Sequence, residues 1–137
     1  MEKKRQLGML MDSKHDFNTL AYIGDVLYEL RIRMFFLAKI PCDINLLHSK
    51  VVKFVCGKKQ VEILHYMKES FFDEEELDFL RRSRNNKKTG KSPSEKQSTA
   101  FEALIGLLYL NGNNQRVEDI FKAVEDFIRD GEDYEKK

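Results

Sequence analysis

Apolar residues recur at intervals of three and four through most of this chain, and only two prolines interrupt its 137 residues. That pattern fits helices and argues against sheets, whose half-buried strands alternate at a period of two. The first run is Leu20, Ile23, Leu27, Leu30, Met34 and Leu37, one seam closed by Pro41, and it predicts a helix over about 17–39. Tyr22, Val26 and Phe36 widen its apolar surface, so this helix is expected to be central, serving as core, as interface, or as both at different turns. Phe35, Phe36, Phe71 and Phe72 are candidates for surplus apolar surface. A second stripe, Leu47, Val51, Phe54 and Val55, resumes after Gly57 with Val61, Leu64 and Met67, as two helices or one bent helix. Asp73 followed by Glu76 is an N-terminal capping signature for a helix reaching about Arg82. Phe101, Leu104, Ile105 and Leu108 face inward on a further helix that Asn111-Gly112 ends. Val117, Ile120, Phe121, Val124 and Phe127 form the face of a last helix, about 116–129. The expected fold is all-α: a single domain over 1–137, a compact bundle of six to seven helices, with flexible ends at about 1–14 and 131–137.

Hydrophobic residues make up 42% and charged residues 34%, enough apolar material for a core and too much for wholesale disorder. No apolar run reaches the ~18 residues of a transmembrane helix, and no signal peptide is recognisable. A cytoplasmic protein is expected. Cys42 and Cys56 match no metal-binding spacing and read as buried free thiols. His15, His48 and His65 stand in no recognised base motif and read as surface or packing residues. The net charge of +1 hides an uneven distribution. Residues 69–78 hold six acids and no base, whereas residues 81–97 hold seven Lys or Arg and one Glu. The second block, with Gly, Pro, Ser and Asn in it, reads as an exposed basic loop at about 84–96, either a phosphate contact or a solvated segment.

Two acids sit where packing alone would not put them. Asp25 lies within "LAYIGDVLYEL" beside Gly24, and Glu102 within "STAFEALIGLLYL" four residues before Gly106. Glycine costs a helix interior ~1 kcal/mol relative to alanine, and acids are rarely buried unless paired or bound to metal. Each acid therefore either pairs with a lysine or arginine or caps a neighbouring backbone group, or meets the other across two helices and shares a divalent cation. The glycines favour close approach at that point, of two helices or of a ligand. Glu29, four residues after Asp25, is either a further ligand or the partner of Arg33.

"YIGDVLYEL" and "STAFEALIGLLYL", in this order and at this separation with a basic stretch between them, resemble the two signatures of the ribonuclease III catalytic domain. "LAYIGD", and "RSRN" leading into a Lys/Gly-rich loop, look like the short bacterial branch of that family, the Mini-III ribonucleases, which has no double-stranded-RNA-binding domain. Two positions depart from the full-length enzymes. Ala21 stands where they carry a glutamate four residues before the aspartate, and Thr99 where they carry an aspartate three residues before the second glutamate. The Mini-III branch resembles this chain in both. The remaining family acid has no firm counterpart, Asp43 being the candidate.

The resemblance implies a homodimeric endoribonuclease that hydrolyses phosphodiesters of double-stranded RNA with Mg²⁺ (Mn²⁺ as substitute), and as substrate the large-subunit (23S) ribosomal RNA precursor. It implies Asp25 and Glu102 as catalytic and metal-binding residues, with Glu29 as an additional candidate ligand. Arg84 and Asn85 fall in its motif before the loop. Arg81, Arg82, Lys87, Lys88 and Lys91 are the further cations expected to face RNA, with Lys50, Lys53 and Lys58 as additional candidates. The alternative is a non-catalytic RNA-binding or scaffold module that kept the fold, and a third reading is a helical interaction domain with two paired core acids.

Overall fold

The computed structural model describes residues 14–39, 43–68 and 70–136, with side chains described up to residue 131. Among them are six helices and no strand: α1 (Phe17–Leu37), α2 (Ile44–Val55), α3 (Gly57–Lys68), α4 (Glu74–Asn85), α5 (Pro93–Leu110) and α6 (Asn114–Lys136). Their boundaries follow local chemistry. Asp16 caps α1 by accepting from the Thr19 amide, and Asp43 caps α2 by accepting from Asn45 and Leu46. That cap is the structural role of Asp43. Asp73 with Glu76, and Ser92 with Glu95, form capping boxes at α4 and α5. Asn111 closes α5, with Gly112 at φ 78°. The apolar stripe broken near Gly57 is two helices, separated at Cys56, which is exposed rather than buried. Cys42 and Pro41 lie outside the described residues. The acidic tail does not end the last helix at Arg129, since α6 continues to Lys136.

The central element is α5, not α1. Phe101, Leu104, Ile105, Leu107 and Leu108 are all fully buried, which fits a helix that is apolar around its circumference. α1, α3, α4 and α6 all pack on it. The face of α1 turned toward α5 holds Leu20, Ala21, Gly24, Tyr28, Ile32 and Phe36. The seam Leu20–Leu37 is therefore split. Leu20 is buried, but Leu30, Met34 and Leu37 are 53%, 56% and 58% exposed, together with Tyr22 and Val26. Phe35, Phe36 and Phe72 are buried and Phe71 is half-buried, so the surplus apolar surface lies on α1 and not on these rings.

Glycine explains which face won. A Cβ on Gly24 would lie 1.8 Å from the backbone oxygen of Glu102, and one on Gly106 would lie 2.0 Å from that of Leu20. Here α1 and α5 touch backbone to backbone. Any side chain at either position would force the helices apart, at a cost of ~1–3 kcal/mol or more. The crossing fixes the register of the two helices, and with it the relative positions of Asp25 and Glu102.

Candidate active site at the α1–α5 crossing

Asp25 follows Gly24 on α1 and is exposed; Glu102 lies on α5 with its own backbone against Gly24 and is half-buried. The Asp25 carboxyl neighbours that of Glu102. Burial, and then the neighbouring Asp25, push the Glu102 carboxyl up to about 8, while a hydrogen bond from Gln60 works in the opposite direction. Burial and the neighbouring carboxyl thus favour the protonated form of Glu102 in the absence of a cation. Among the described residues neither acid forms an ion pair with a lysine or arginine. Of the readings left open by the sequence, pairing with a basic side chain is thus not realised among the described residues, and the meeting of the two acids is.

The donor set suits a hard divalent cation. It is all oxygen, it comes from two helices locked in register, and its like charges are relieved by a cation between them. No group of three or more His, Cys, Asp or Glu able to hold a metal occurs among the described residues. A two-carboxylate site fits Mg²⁺, which keeps several waters and takes further oxygens from substrate phosphates. Glu29 does not join the pair. Its carboxylate is hydrogen-bonded to Arg33 Nη2, and the two side chains border a depression of ≈340 Å³ that Asp25, Val26 and Leu30 also line. At the positions where full-length enzymes carry further acids, Ala21 is buried and Thr99 half-buried.

The basic segment divides into a helical part and a short loop. Arg81, Arg82, Arg84 and Asn85 belong to α4, and the loop proper is only 86–92, because Ser92 and Pro93 start α5 early. Arg81 and Arg82 both pair with Asp78, Arg82 at 3.8 Å. Arg84 is half-buried and Asn85 exposed. Lys87, Lys88 and Lys91 project from the loop and are exposed. The loop is tied down by three hydrogen bonds: Lys96 Nζ donates to the carbonyls of Thr89 (2.8 Å) and Asn86 (3.4 Å), and Asn18 Nδ2 donates to that of Lys88 (2.7 Å). Asn18 precedes Asp25 by two turns on the same face of α1, a rise of ~10 Å. The loop lysines are therefore anchored to the helix that carries the acid. Lys53 and Lys58 are exposed and Lys50 half-buried, on α2 and α3.

Gln60 is the residue that sequence reasoning passed over. It is 2% exposed on α3, and its Nε2 donates to Glu102 Oε2 at 3.0 Å. The signal was present: an amide heads the buried row continued by Ile63, Leu64 and Met67.

The ribonuclease III domain family matches residues 18–113. Over 119 residues the chain is 40% identical to a Mini-ribonuclease 3 of Symbiobacterium thermophilum, covering 83% of this chain and 91% of that protein. A Mini-ribonuclease 3 of Staphylococcus aureus is 35% identical over 112 residues, covering 77% and 84%. The crystal structure of protein FN1578 from Fusobacterium nucleatum superposes with a TM-score of 0.71 at 29% identity, covering 82% of this chain and 93% of that one. The chain belongs to the ribonuclease III family and is an endoribonuclease. Within that family it stands with the Mini-ribonuclease 3 branch.

Proposed function

We propose that the chain is a Mg²⁺-dependent endoribonuclease of double-stranded RNA whose catalytic pair is Asp25 and Glu102. The observation that carries this reading is that these two carboxyls lie side by side and, among the described residues, neither is paired with a basic side chain. Asp25 and Glu102 would hold the cation, which supplies polarisation of the phosphodiester and an acidified water. Glu102 would hold it as the carboxylate, which a neighbouring cation favours. Asp25, exposed at the surface, presents its carboxylate to an incoming backbone. No protein nucleophile is needed. Lys87, Lys88 and Lys91, tethered through Asn18, engage phosphates, with Arg84 and Asn85 beside them at the end of α4. Duplex RNA is recognised in this way by shape, through phosphates and 2′-hydroxyls.

The working unit is a homodimer. The stripe Tyr22, Val26, Leu30, Met34 and Leu37 supports this, because it leaves one continuous face of α1 apolar and 53–75% exposed. Val26 and Leu30 also line the depression beside Asp25, so a second copy on this stripe would border the acids. The particular duplex implied by the Mini-III resemblance is the paired end region of the large-subunit ribosomal RNA precursor.

The test is incubation with an end-labelled RNA duplex and with its separate strands, in Mg²⁺ or in EDTA. Cleavage of the duplex alone, and only with Mg²⁺, is expected. Duplex cleavage that continues in EDTA would overturn the reading.

A further inference from the structure

A buried amide must find a hydrogen-bond partner or bear a desolvation cost of ~1–3 kcal/mol. Gln60 finds one in Glu102, across from α3 to α5, at 3.0 Å. Packing by itself does not call for an amide here. The positions that follow it on the same face, Ile63, Leu64 and Met67, are apolar and at most 2% exposed, and a leucine or methionine would continue the row. The docking of α3 sets Gln60 opposite Glu102. Gly57 begins α3, and a Cβ there would lie 3.3 Å from Ser98 Oγ. Ser98 precedes Glu102 by one turn of α5, and Gln60 follows Gly57 by nearly one turn of α3. The first turn of α3 thus lies along the same stretch of α5 that carries the acid.

We propose that Gln60 is a positioning residue for phosphodiester cleavage: its amide holds the Glu102 carboxylate in place through Oε2 while leaving that carboxylate its full charge. This rests on the reading of Asp25 and Glu102 as a cation-binding pair. The choice of side chain is chemical. A guanidinium or ammonium would hold Glu102 as firmly but would neutralise it and exclude a cation. An apolar side chain would leave the charge but let the carboxylate rotate. A neutral donor does neither. With one oxygen engaged by Gln60, the remaining lone pairs of Glu102 face Asp25, where the metal is needed.

The experiment replaces Gln60 with Leu and, separately, with Met, which matches its length without a donor. Three quantities are read on the full chain: melting temperature without metal, Mn²⁺ affinity of the RNA-free protein by titration, and the Mg²⁺ concentration giving half-maximal duplex cleavage. Both variants are expected to fold, since each extends the apolar row. Mn²⁺ affinity should fall ~10-fold or more, the Mg²⁺ requirement should rise by a similar factor, and high Mn²⁺ should restore much of the cleavage. A Met variant with wild-type Mn²⁺ affinity and Mg²⁺ requirement would overturn the proposal. Were the Leu variant not to fold, the Met variant would decide alone. A wild-type protein that neither binds Mn²⁺ nor needs Mg²⁺ would remove the metal reading itself, a result distinct from failure of Gln60 alone.

Discussion

Glu76 and Glu102 are both glutamates drawn out of water, on helices α4 and α5 that pack against each other, yet their surroundings differ. Glu76 is fully buried and meets the Arg116 guanidinium through two bonds of 2.6 Å, while it also accepts from the Asp73 amide at 3.0 Å. Arg116 in turn donates to the Phe71 carbonyl and lies 4.3 Å over the Phe71 ring. Both carboxylate oxygens and the charge there have protein partners, and the result ties α6 to the start of α4. Glu102 has a second carboxyl and a neutral amide instead. A fold that supplies an arginine to one buried glutamate and withholds it from another marks the second as the one kept for something outside the chain.

The largest expected effect separates the two by activity. Glu102→Gln keeps shape and hydrogen bonding to Gln60 but removes the charge. Duplex cleavage at saturating Mg²⁺ should fall by ~10³-fold or more, with the fold intact by circular dichroism. Cleavage at the wild-type rate would make Glu102 structural, like Glu76. The converse change, Glu76→Gln, should do the reverse. It strands Arg116 beside a neutral amide, and breaking such a pair costs ~3 kcal/mol, which for a chain of this size lowers the melting temperature by ~10 °C. Cleavage per folded molecule should stay near wild type. A large loss of activity without loss of stability would erase the distinction between the two sites.

A third expectation concerns pH. The Glu102 carboxyl rises from 4.5 in the unfolded chain to about 8 in the metal-free fold, chiefly through burial. Between these values the unfolded state has lost a proton that the folded state keeps. The stability this provides is complete below 4.5 and is lost as pH rises through 8. Glu118 and Asp16 shift the other way, so their contributions change only at acid pH. The melting temperature of Glu102→Gln relative to wild type, measured in EDTA, should therefore climb from pH 5 to pH 8.5, and Mg²⁺ should narrow the gap at the alkaline end. A difference independent of pH would mean that neither burial nor a neighbouring carboxyl raises Glu102 in the fold.

How much of this was readable in the residues differs between the core and the site. The helices at Asp73–Glu76 and at Asn111-Gly112 followed from capping chemistry, which is local and unambiguous in sequence. The face of α1 was not local. Leu30, Met34 and Leu37 have the same period as Leu20, but a periodic stripe does not say whether it faces the core or solvent. The choice was made by Gly24 and Gly106, small residues that a hydrophobic count scores as weak and that close approach makes decisive. Asp25 and Glu102 were legible as anomalies. Their meeting was one of the readings left open, and choosing it depends on the register of two helices about 80 residues apart in sequence. Gln60 was missed because an amide near a helix start reads as surface, although it heads the row of Ile63, Leu64 and Met67, and its tertiary partner gives it its role.

The smallest expected effect tests the other contrast in the molecule, between the paired and the unpaired cations of the basic segment. Arg81 and Arg82 already share Asp78, whereas Lys87, Lys88 and Lys91 are exposed on a loop anchored to α1. Surface pairs are weak, ~0–1 kcal/mol, so the arginines can be drawn away to a phosphate, but part of their charge is offset where they stand. Replacing the three lysines with glutamine should lower duplex affinity and flatten the dependence of log Kd on log salt by roughly 3, close to one counterion per lost contact. Replacing Arg81 and Arg82 should change that slope by less per charge, because Asp78 then repels the RNA that the arginines no longer attract but releases no counterion of its own. Binding should be measured in EDTA, where cleavage does not consume the duplex. Equal slopes for wild type and the triple lysine variant would move the phosphate contact away from the loop and onto the cations of α2 and α3, leaving the tether at Asn18 a matter of folding alone.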